Sequence, residues 1–198
     1  MTASHFFDWS VCTDVDRDTE LALVEGLRRG DSKAFDVVYD AYGARLFTFL
    51  ARLSRRRDLA EDLAEETWLR LVANAPKLRP DTRLGPWLFA VARNLYSSAC
   101  RSRLVEEAYS ASLIGLWPSG AARPSPFEET SAGELQRRLE RGLAALPPVH
   151  REVLLLVGVE GFTPGEAAAI CGVTPETLRQ RLSRARSRLA RAIGEVMS

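Results

Sequence analysis

The chain has 198 residues, of which 46% are hydrophobic and 27% are charged, and its formal net charge is +1. This composition is typical of a globular protein and excludes a disordered chain, while the length allows one large domain or two small ones. Three widely spaced cysteines, Cys12, Cys100 and Cys171, argue against a disulfide framework and against a zinc module. We find no apolar run of membrane-spanning length and no secretory signal pattern, so we expect a cytoplasmic protein without membrane insertion.

Acidic and basic residues are segregated along the chain, and arginine carries almost all of the positive charge. Acids predominate in residues 1–20 and 106–134, whereas arginines without balancing acids predominate in residues 93–103 and 176–191. Two basic elements separated by an acidic segment are the first indication of a nucleic-acid partner.

The spacing of apolar residues predicts an all-α fold of two small helical lobes. The segment 106–130 contains several prolines and glycines, so it predicts a flexible linker between the lobes. The predicted parts are an acidic N-terminal tail (1–18), an N-terminal lobe (19–105), this linker, and a C-terminal lobe (131–198). The predicted helices lie near residues 19–29, 32–55, 58–74, 85–104, 131–146, 148–159, 163–171 and 175–196.

The predicted helix 58–74 has an acidic face opposite its apolar stripe. Paired carboxylates are compatible with catalysis or with a metal, but neither of the two histidines of the chain lies nearby. Two interpretations remain open, a solvated acidic face and a docking surface for a basic protein partner. An exposed leucine among the acids favours docking. This acidic surface consists of Asp62, Glu65, Glu66 and Leu69.

The predicted helix 85–104 carries a polar outward stripe and follows a basic loop at residues 76–83. Basic, amide and hydroxyl groups together are typical of surfaces that bind single-stranded nucleic acid. Trp87 and Phe89 are candidates either for base stacking or for the core, and for Trp87 we favour the core. The candidate nucleic-acid contacts are Arg79, Arg83, Arg93, Asn94, Ser98, Arg101 and Arg103.

Two helix start signals, Thr163-Pro164 and Thr174-Pro175, flank a small-residue helix that ends at Gly172. This arrangement is typical of a helix-turn-helix. The second helix has an apolar stripe, an opposite polar face and arginines between them, which suits the DNA major groove. The alternatives are a solvated amphipathic helix and a calmodulin-like target segment. The candidate DNA contacts are Thr174, Glu176, Thr177, Arg179, Gln180, Arg181, Ser183 and Arg184.

Four segments, in this order, resemble bacterial sigma factors of the extracytoplasmic-function (ECF) group. The resemblance covers residues 20–104 and 131–195. Two positions depart from the family pattern: Ser98 stands where an acid or amide is common, and Glu176 stands where a glycine is common. The segments that carry the resemblance are Asp58–Leu71, Pro86–Leu95, Leu146–Leu154 and Arg179–Arg186.

The resemblance implies an RNA polymerase specificity subunit without catalysis, cofactor or metal, in which the two lobes are sigma regions 2 and 4. It implies that the acidic surface docks on the clamp helices of the largest polymerase subunit. The basic loop and the polar stripe would open and read the minus-10 promoter element. The helix that begins after Thr174 would read the minus-35 element, and an anti-sigma factor would hold the protein inactive.

Three other functions compete with this interpretation. A helix-turn-helix regulator that acts without core polymerase would need a ligand pocket or a dimer helix, and it leaves the acidic surface unexplained. A sigma-like decoy would usually carry a receiver domain, for which the chain is too short. An enzyme is the weakest alternative, because no phosphate loop, nucleophile motif or metal-ligand spacing occurs. We also expect the acidic tail and the linker to hold the two lobes together in the free protein.

Overall fold

The structure is a computed structural model that describes residues 16–113 and 133–195. These residues form eight α-helices and no strand, so the all-α prediction is confirmed. The helices are α1 (Arg17–Arg28), α2 (Ser32–Ser54), α3 (Arg57–Asn74), α4 (Leu84–Leu113), α5 (Glu134–Ala145), α6 (Pro148–Leu154), α7 (Pro164–Cys171) and α8 (Pro175–Glu195); a 3-10 turn at Ala75–Lys77 follows α3, and a π-helical turn at Leu155–Val159 follows α6.

The main difference from the predicted helices is the length of α4, which runs past residue 104 to Leu113. The prolines and glycines of residues 106–130 predict a linker, but none of them occurs before Gly115, so nothing interrupts the helix between Pro86 and Leu113. The acidic N-terminal tail up to residue 15 and the linker residues 114–132 lie outside the described residues. Their expected role in holding the lobes together remains a prediction.

The predicted helix ends are fixed by local side-chain and glycine geometry. The Asp31 carboxylate accepts a hydrogen bond from the Lys33 amide at the start of α2 (2.9 Å). Thr163 and Glu166 form a reciprocal capping box at the start of α7. Gly30 and Gly172 adopt φ angles of +76° and +64°, a left-handed conformation that costs a glycine little.

The N-terminal lobe, α1 to α4, encloses a core around the middle of α2, where Leu46, Phe49 and Leu50 are fully buried. Glu20 is an acid inside this lobe, and its Oε1 accepts a hydrogen bond from the Leu84 amide at the start of α4 (2.8 Å). A carboxylate at this position satisfies an amide that has no partner within its own helix. It thereby fixes the basic loop relative to α1.

The C-terminal lobe, α5 to α8, packs against the N-terminal lobe, with α7 lying along α4. Phe89 contacts Phe49 of its own lobe and Phe162 of the other lobe, with ring centroids 5.2 and 5.0 Å apart. Phe89 is therefore a core residue and not a base-stacking residue. The core of buried side chains continues across both lobes.

Arg151 of α6 is a buried arginine at the junction of the lobes. Its guanidinium donates hydrogen bonds to backbone carbonyls at the end of α2 and at the end of α5. The last carbonyls of a helix have no partner within the helix, so one arginine here satisfies the ends of two helices. Among the described residues, no helix is both long and apolar enough to span a membrane.

Candidate functional site

The acidic surface lies on the solvent side of α3. The opposite side of this helix, with Leu63, Thr67 and Leu71, is buried against the core as predicted. Asp62 and Glu65 are exposed, Glu66 is half-buried and pairs with Arg70 (2.8 Å), and Leu69 is 58% exposed. An apolar side chain that is exposed among carboxylates fits a docking surface better than a purely solvated face.

An apolar groove of about 440 Å³ adjoins the acidic surface, between α2 and α3. Tyr39 and Trp68 pack with ring centroids 5.0 Å apart at this groove, and Phe35 contacts both rings. Tyr39 and Val72 are large side chains that are 49% and 58% exposed. Neither residue is among the predicted site residues, although the spacing of Phe35 and Tyr39 places these two rings on one side of α2.

The predicted polar surface of α4 is exposed to solvent except at Arg93. Asn94, Ser98 and Arg101 are exposed, and Arg101 donates a hydrogen bond to the Ser98 hydroxyl (3.0 Å). Arg103 is also exposed. Arg93 differs from them, because its side chain is 23% exposed and its Nε donates to Glu152 of the C-terminal lobe (2.8 Å).

The two predicted arginines of the basic loop also differ from each other. Arg79 is fully open to solvent and pairs with Asp81 of the same loop (3.1 Å). Arg83 pairs with the buried Glu20 (3.1 Å) and approaches Glu166 of the C-terminal lobe (3.5 Å). In this conformation the loop presents Arg79 to solvent and turns Arg83 toward carboxylates.

The predicted recognition helix α8 has the expected division of faces. Leu178, Leu182 and Ala185 are buried. The Thr174 hydroxyl accepts a hydrogen bond from the Thr177 amide (3.2 Å) and so caps the helix. The remaining predicted contacts are exposed or half-buried: Glu176, Thr177, Arg179, Gln180, Arg181, Ser183 and Arg184.

Glu176 pairs with Arg179 at the exposed start of α8 (2.7 Å). Farther along α8, the positive charges of Arg188, Arg184 and Arg181 act on the imidazole of His150 in α6. Burial first, and then these three arginines, hold the pKa of His150 below its ordinary value. The potential along this side of α8 is therefore positive, as an anion-binding surface requires.

The remaining chemistry of the described residues gives no sign of catalysis. Cys171 is buried in the helix-turn-helix, and burial raises the pKa of its thiol to about 12, so it is not a reactive thiolate. In residues 16–113 and 133–195 no group of three or more histidine, cysteine or acidic side chains could hold a metal ion. Cys12 lies outside the described residues.

Comparison with known proteins gives matches to both lobes. The Sigma-70 region 2 family matches residues 38–117, and the Sigma-70 region 4 family matches residues 136–189. RNA polymerase sigma factor CarQ of Myxococcus xanthus is 33% identical over 173 residues, which are 87% of this chain and 97% of that protein. ECF RNA polymerase sigma factor EcfG of Rhodopseudomonas palustris is 37% identical over 183 residues, which are 90% of this chain and 84% of that protein.

Two solved structures are similar in fold. The sigma factor RpoE in complex with the anti-sigma factor NepR from Bartonella quintana covers 82% of this chain and 96% of its own, with 29% identity and a TM-score of 0.62. CnrH in complex with the cytosolic domain of CnrY covers 89% of this chain and 97% of its own, with 19% identity and a TM-score of 0.63, which supports the fold alone. With two relatives above 30% identity and matches to both regions, the chain belongs to the RNA polymerase sigma factors of the ECF group.

Proposed function

We propose that this ECF sigma factor binds core RNA polymerase through α3, recognises the minus-10 element through α4 and the basic loop, and recognises the minus-35 element through α8. It directs initiation at specific promoters and performs no catalysis itself. We place its action in the cytoplasm, where the polymerase works. Region 2 corresponds to residues 19–105 and region 4 to residues 131–198.

The observation that carries the polymerase contact is the exposed face of α3. Leu69 and Val72 offer apolar area that the free chain leaves in water, and Asp62 and Glu65 beside them carry unpaired negative charge on the same side. A basic, partly apolar helical surface would bury the leucine and neutralise the acids. The clamp helices of the largest polymerase subunit are the partner that the family membership suggests.

The two promoter contacts are of different kinds. The stripe of Asn94, Ser98 and Arg101 has amide, hydroxyl and guanidinium groups beside a basic loop, which suits unpaired bases. Helix α8 begins at a capped, exposed N-terminal end that carries Arg179 and Gln180, which suits base edges in the major groove.

An anti-sigma factor is the regulatory partner that we propose. A similar sigma factor, RpoE of Bartonella quintana, was solved in complex with its anti-sigma factor NepR. The apolar groove at Tyr39 and Trp68 leaves large side chains open to such a partner.

The test is a pull-down of core polymerase by the full chain. Reversal of two charges in Asp62→Arg with Glu65→Arg should abolish binding, because attraction becomes repulsion. The matched control is Glu25→Arg with Glu134→Arg, since both acids are exposed and pair with arginines in or directly after their own helix. The control should bind as the unmodified chain does. Equal binding by both double variants would refute the docking role of α3.

A further inference from the structure

Glu20 of α1 is a buried carboxylate that binds three groups around the basic loop. Its side chain is 6% exposed, and its Oε1 accepts a hydrogen bond from the Leu84 amide (2.8 Å). Its Oε2 accepts a hydrogen bond from Arg17 (2.6 Å) and lies 3.1 Å from the Nε of Arg83. Arg17 in turn donates to the backbone carbonyl of Asp81 (2.8 Å). Two residues of α1 therefore hold the end of the basic loop.

Arg83 is an unusual residue for the start of a helix. It is the N-cap of α4, because its carbonyl accepts the first helical hydrogen bond, from the Trp87 amide (3.0 Å). Helix N-caps are usually serine, threonine, aspartate or asparagine, whose oxygens accept from the first amides, whereas an arginine side chain has no acceptor. Its positive charge also lies at the positive end of the helix dipole. The carboxylate of Glu20, which comes from another helix, supplies both the acceptor and the negative charge.

Glu20 leaves the outer part of Arg83 open to a ligand. The Nε lies against the buried carboxylate, while the side chain as a whole is 56% exposed. Among the described residues, only Glu166 lies within ion-pair distance of the two terminal amino groups, at 3.5 Å from Nη2. A guanidinium is planar and carries donors on more than one edge, so an anchor at Nε fixes the direction of the other donors. A side chain that is fixed in advance loses less conformational entropy when it binds.

We propose that Glu20 is a positioning residue for minus-10 recognition, whose carboxylate holds Arg83 so that its terminal amino groups bind a phosphate of the unpaired DNA strand at the start of α4. The inference rests on the proposed function of α4 and the basic loop. Arg17 and Arg83 share the single carboxylate of Glu20, so the group keeps a positive charge. A guanidinium at a helix N-terminus favours an anion for two independent reasons. The arginine that disfavours the helix start thus serves the DNA contact, and Glu20 offsets its local cost.

The test measures how core polymerase carrying the full chain binds premelted promoter DNA. The probe is a fluorescein-labelled duplex, mismatched across the minus-10 element of a promoter mapped by run-off transcription. Glu20→Gln keeps an oxygen acceptor for the Leu84 amide but removes the charge that holds Arg83. It should weaken binding about tenfold, the value of one hydrogen bond to a charged group.

The matched control is Glu25→Gln, which removes an exposed acid of the same helix that pairs with arginines at and directly after the end of α1. Both variants lose one negative charge, and this loss by itself favours DNA binding. The control should therefore bind at least as tightly as the unmodified chain. Weaker binding by Glu20→Gln then has the opposite sign to the effect of charge alone.

A background without the arginine shows whether Glu20 acts through it. In the presence of Arg83→Gln, the further change Glu20→Gln should alter the affinity by less than about twofold, whereas a general folding defect would cost the same factor in both backgrounds. Arg83→Lys keeps the charge but loses the planar guanidinium, so it should weaken binding about as much as Glu20→Gln does. Because Arg83→Lys changes an exposed side chain, it tests the inference even if Glu20→Gln does not fold.

Three results would overturn the inference: equal affinity of Glu20→Gln and Glu25→Gln, equal losses with and without Arg83, or full affinity of Arg83→Lys. If the complex of the unmodified chain does not bind the premelted promoter at all, the proposed function is wrong, and this inference is wrong with it. The two failures are therefore distinguishable.

Discussion

Replacement of Arg151 by methionine should destabilise the protein more than any surface change. The side chain is 4% exposed and donates to the carbonyls of Leu53 (2.8 Å), Leu143 (2.9 Å), Ala144 (3.0 Å) and Leu146 (2.7 Å). Methionine replaces the aliphatic part of the arginine side chain, and it has neither the guanidinium nor any other donor. The substitution therefore removes the hydrogen bonds while it keeps most of the apolar packing.

The magnitude follows from the carbonyls that lose their donor. Each buried acceptor left without a partner costs about 1–3 kcal/mol, and water can reach some of them at this junction. We expect a loss of about 3–5 kcal/mol, similar to the removal of one partner from a buried charged network. This is a large part of the total stability of a small protein, which is about 5–15 kcal/mol.

Urea unfolding followed by far-ultraviolet circular dichroism measures this loss through the midpoint and the slope. The matched control is Arg137→Met, since Arg137 is an exposed arginine of α5 that pairs with Glu134. The control should change stability by less than about 0.5 kcal/mol. A loss below about 1 kcal/mol for Arg151→Met would show that the helix ends do not depend on this guanidinium, because about 1 kcal/mol is the net value of a single ordinary hydrogen bond.

Three further predictions concern the DNA surfaces. Asn94→Ala should impair promoter opening more than duplex binding, at a cost of about 1–3 kcal/mol where the amide reads a base, and an unchanged permanganate footprint would remove Asn94 from the site. Arg179→Ala should relax the minus-35 preference by about 1–3 kcal/mol, whereas Arg184→Ala should weaken all duplexes alike and lower the salt slope by about one unit; titrations at several salt concentrations check this difference. The pKa of His150 is lowered in the folded chain, so protonation of its imidazole favours unfolding. The free energy of unfolding, compared with that of His150→Gln, should therefore fall as the pH drops through about 6.5. Duplex bound on α8 should raise that pKa in an NMR titration, and an unmoved resonance would place the DNA elsewhere.

Local features of the sequence predicted the local features of the structure. Helices begin after Asp31 and Thr163 and end at Gly172, as predicted, because a helix cap depends only on residues within one turn. The buried stripes of α3 and α8 followed from helical spacing in the same way. The exposed polar faces of α3 and α8 were predicted from the same helical spacing.

Long-range pairing could not be predicted from these local signals. Arg45 and Glu160 are 115 residues apart, and no sequence feature near either residue indicates that the two form an ion pair. Arg93 points outward on the helical wheel of α4, so it was assigned to DNA alone, although the outward side of one lobe is the contact side of another. The role of Phe89 was ambiguous for the same reason, since its contacts with Phe49 and Phe162 are both long-range and together they decide that it is a core residue.

The most direct test of the central assignment is run-off transcription with the full chain, core RNA polymerase and genomic DNA. We expect discrete transcripts that start downstream of a shared pair of promoter elements, and we expect these transcripts to be lost with Asp62→Arg combined with Glu65→Arg. The control pair Glu25→Arg with Glu134→Arg should give the same transcripts as the unmodified chain. Transcripts that are independent of the added chain would contradict its role as a promoter-specificity subunit, and transcripts that persist with the α3 variant would contradict docking through α3.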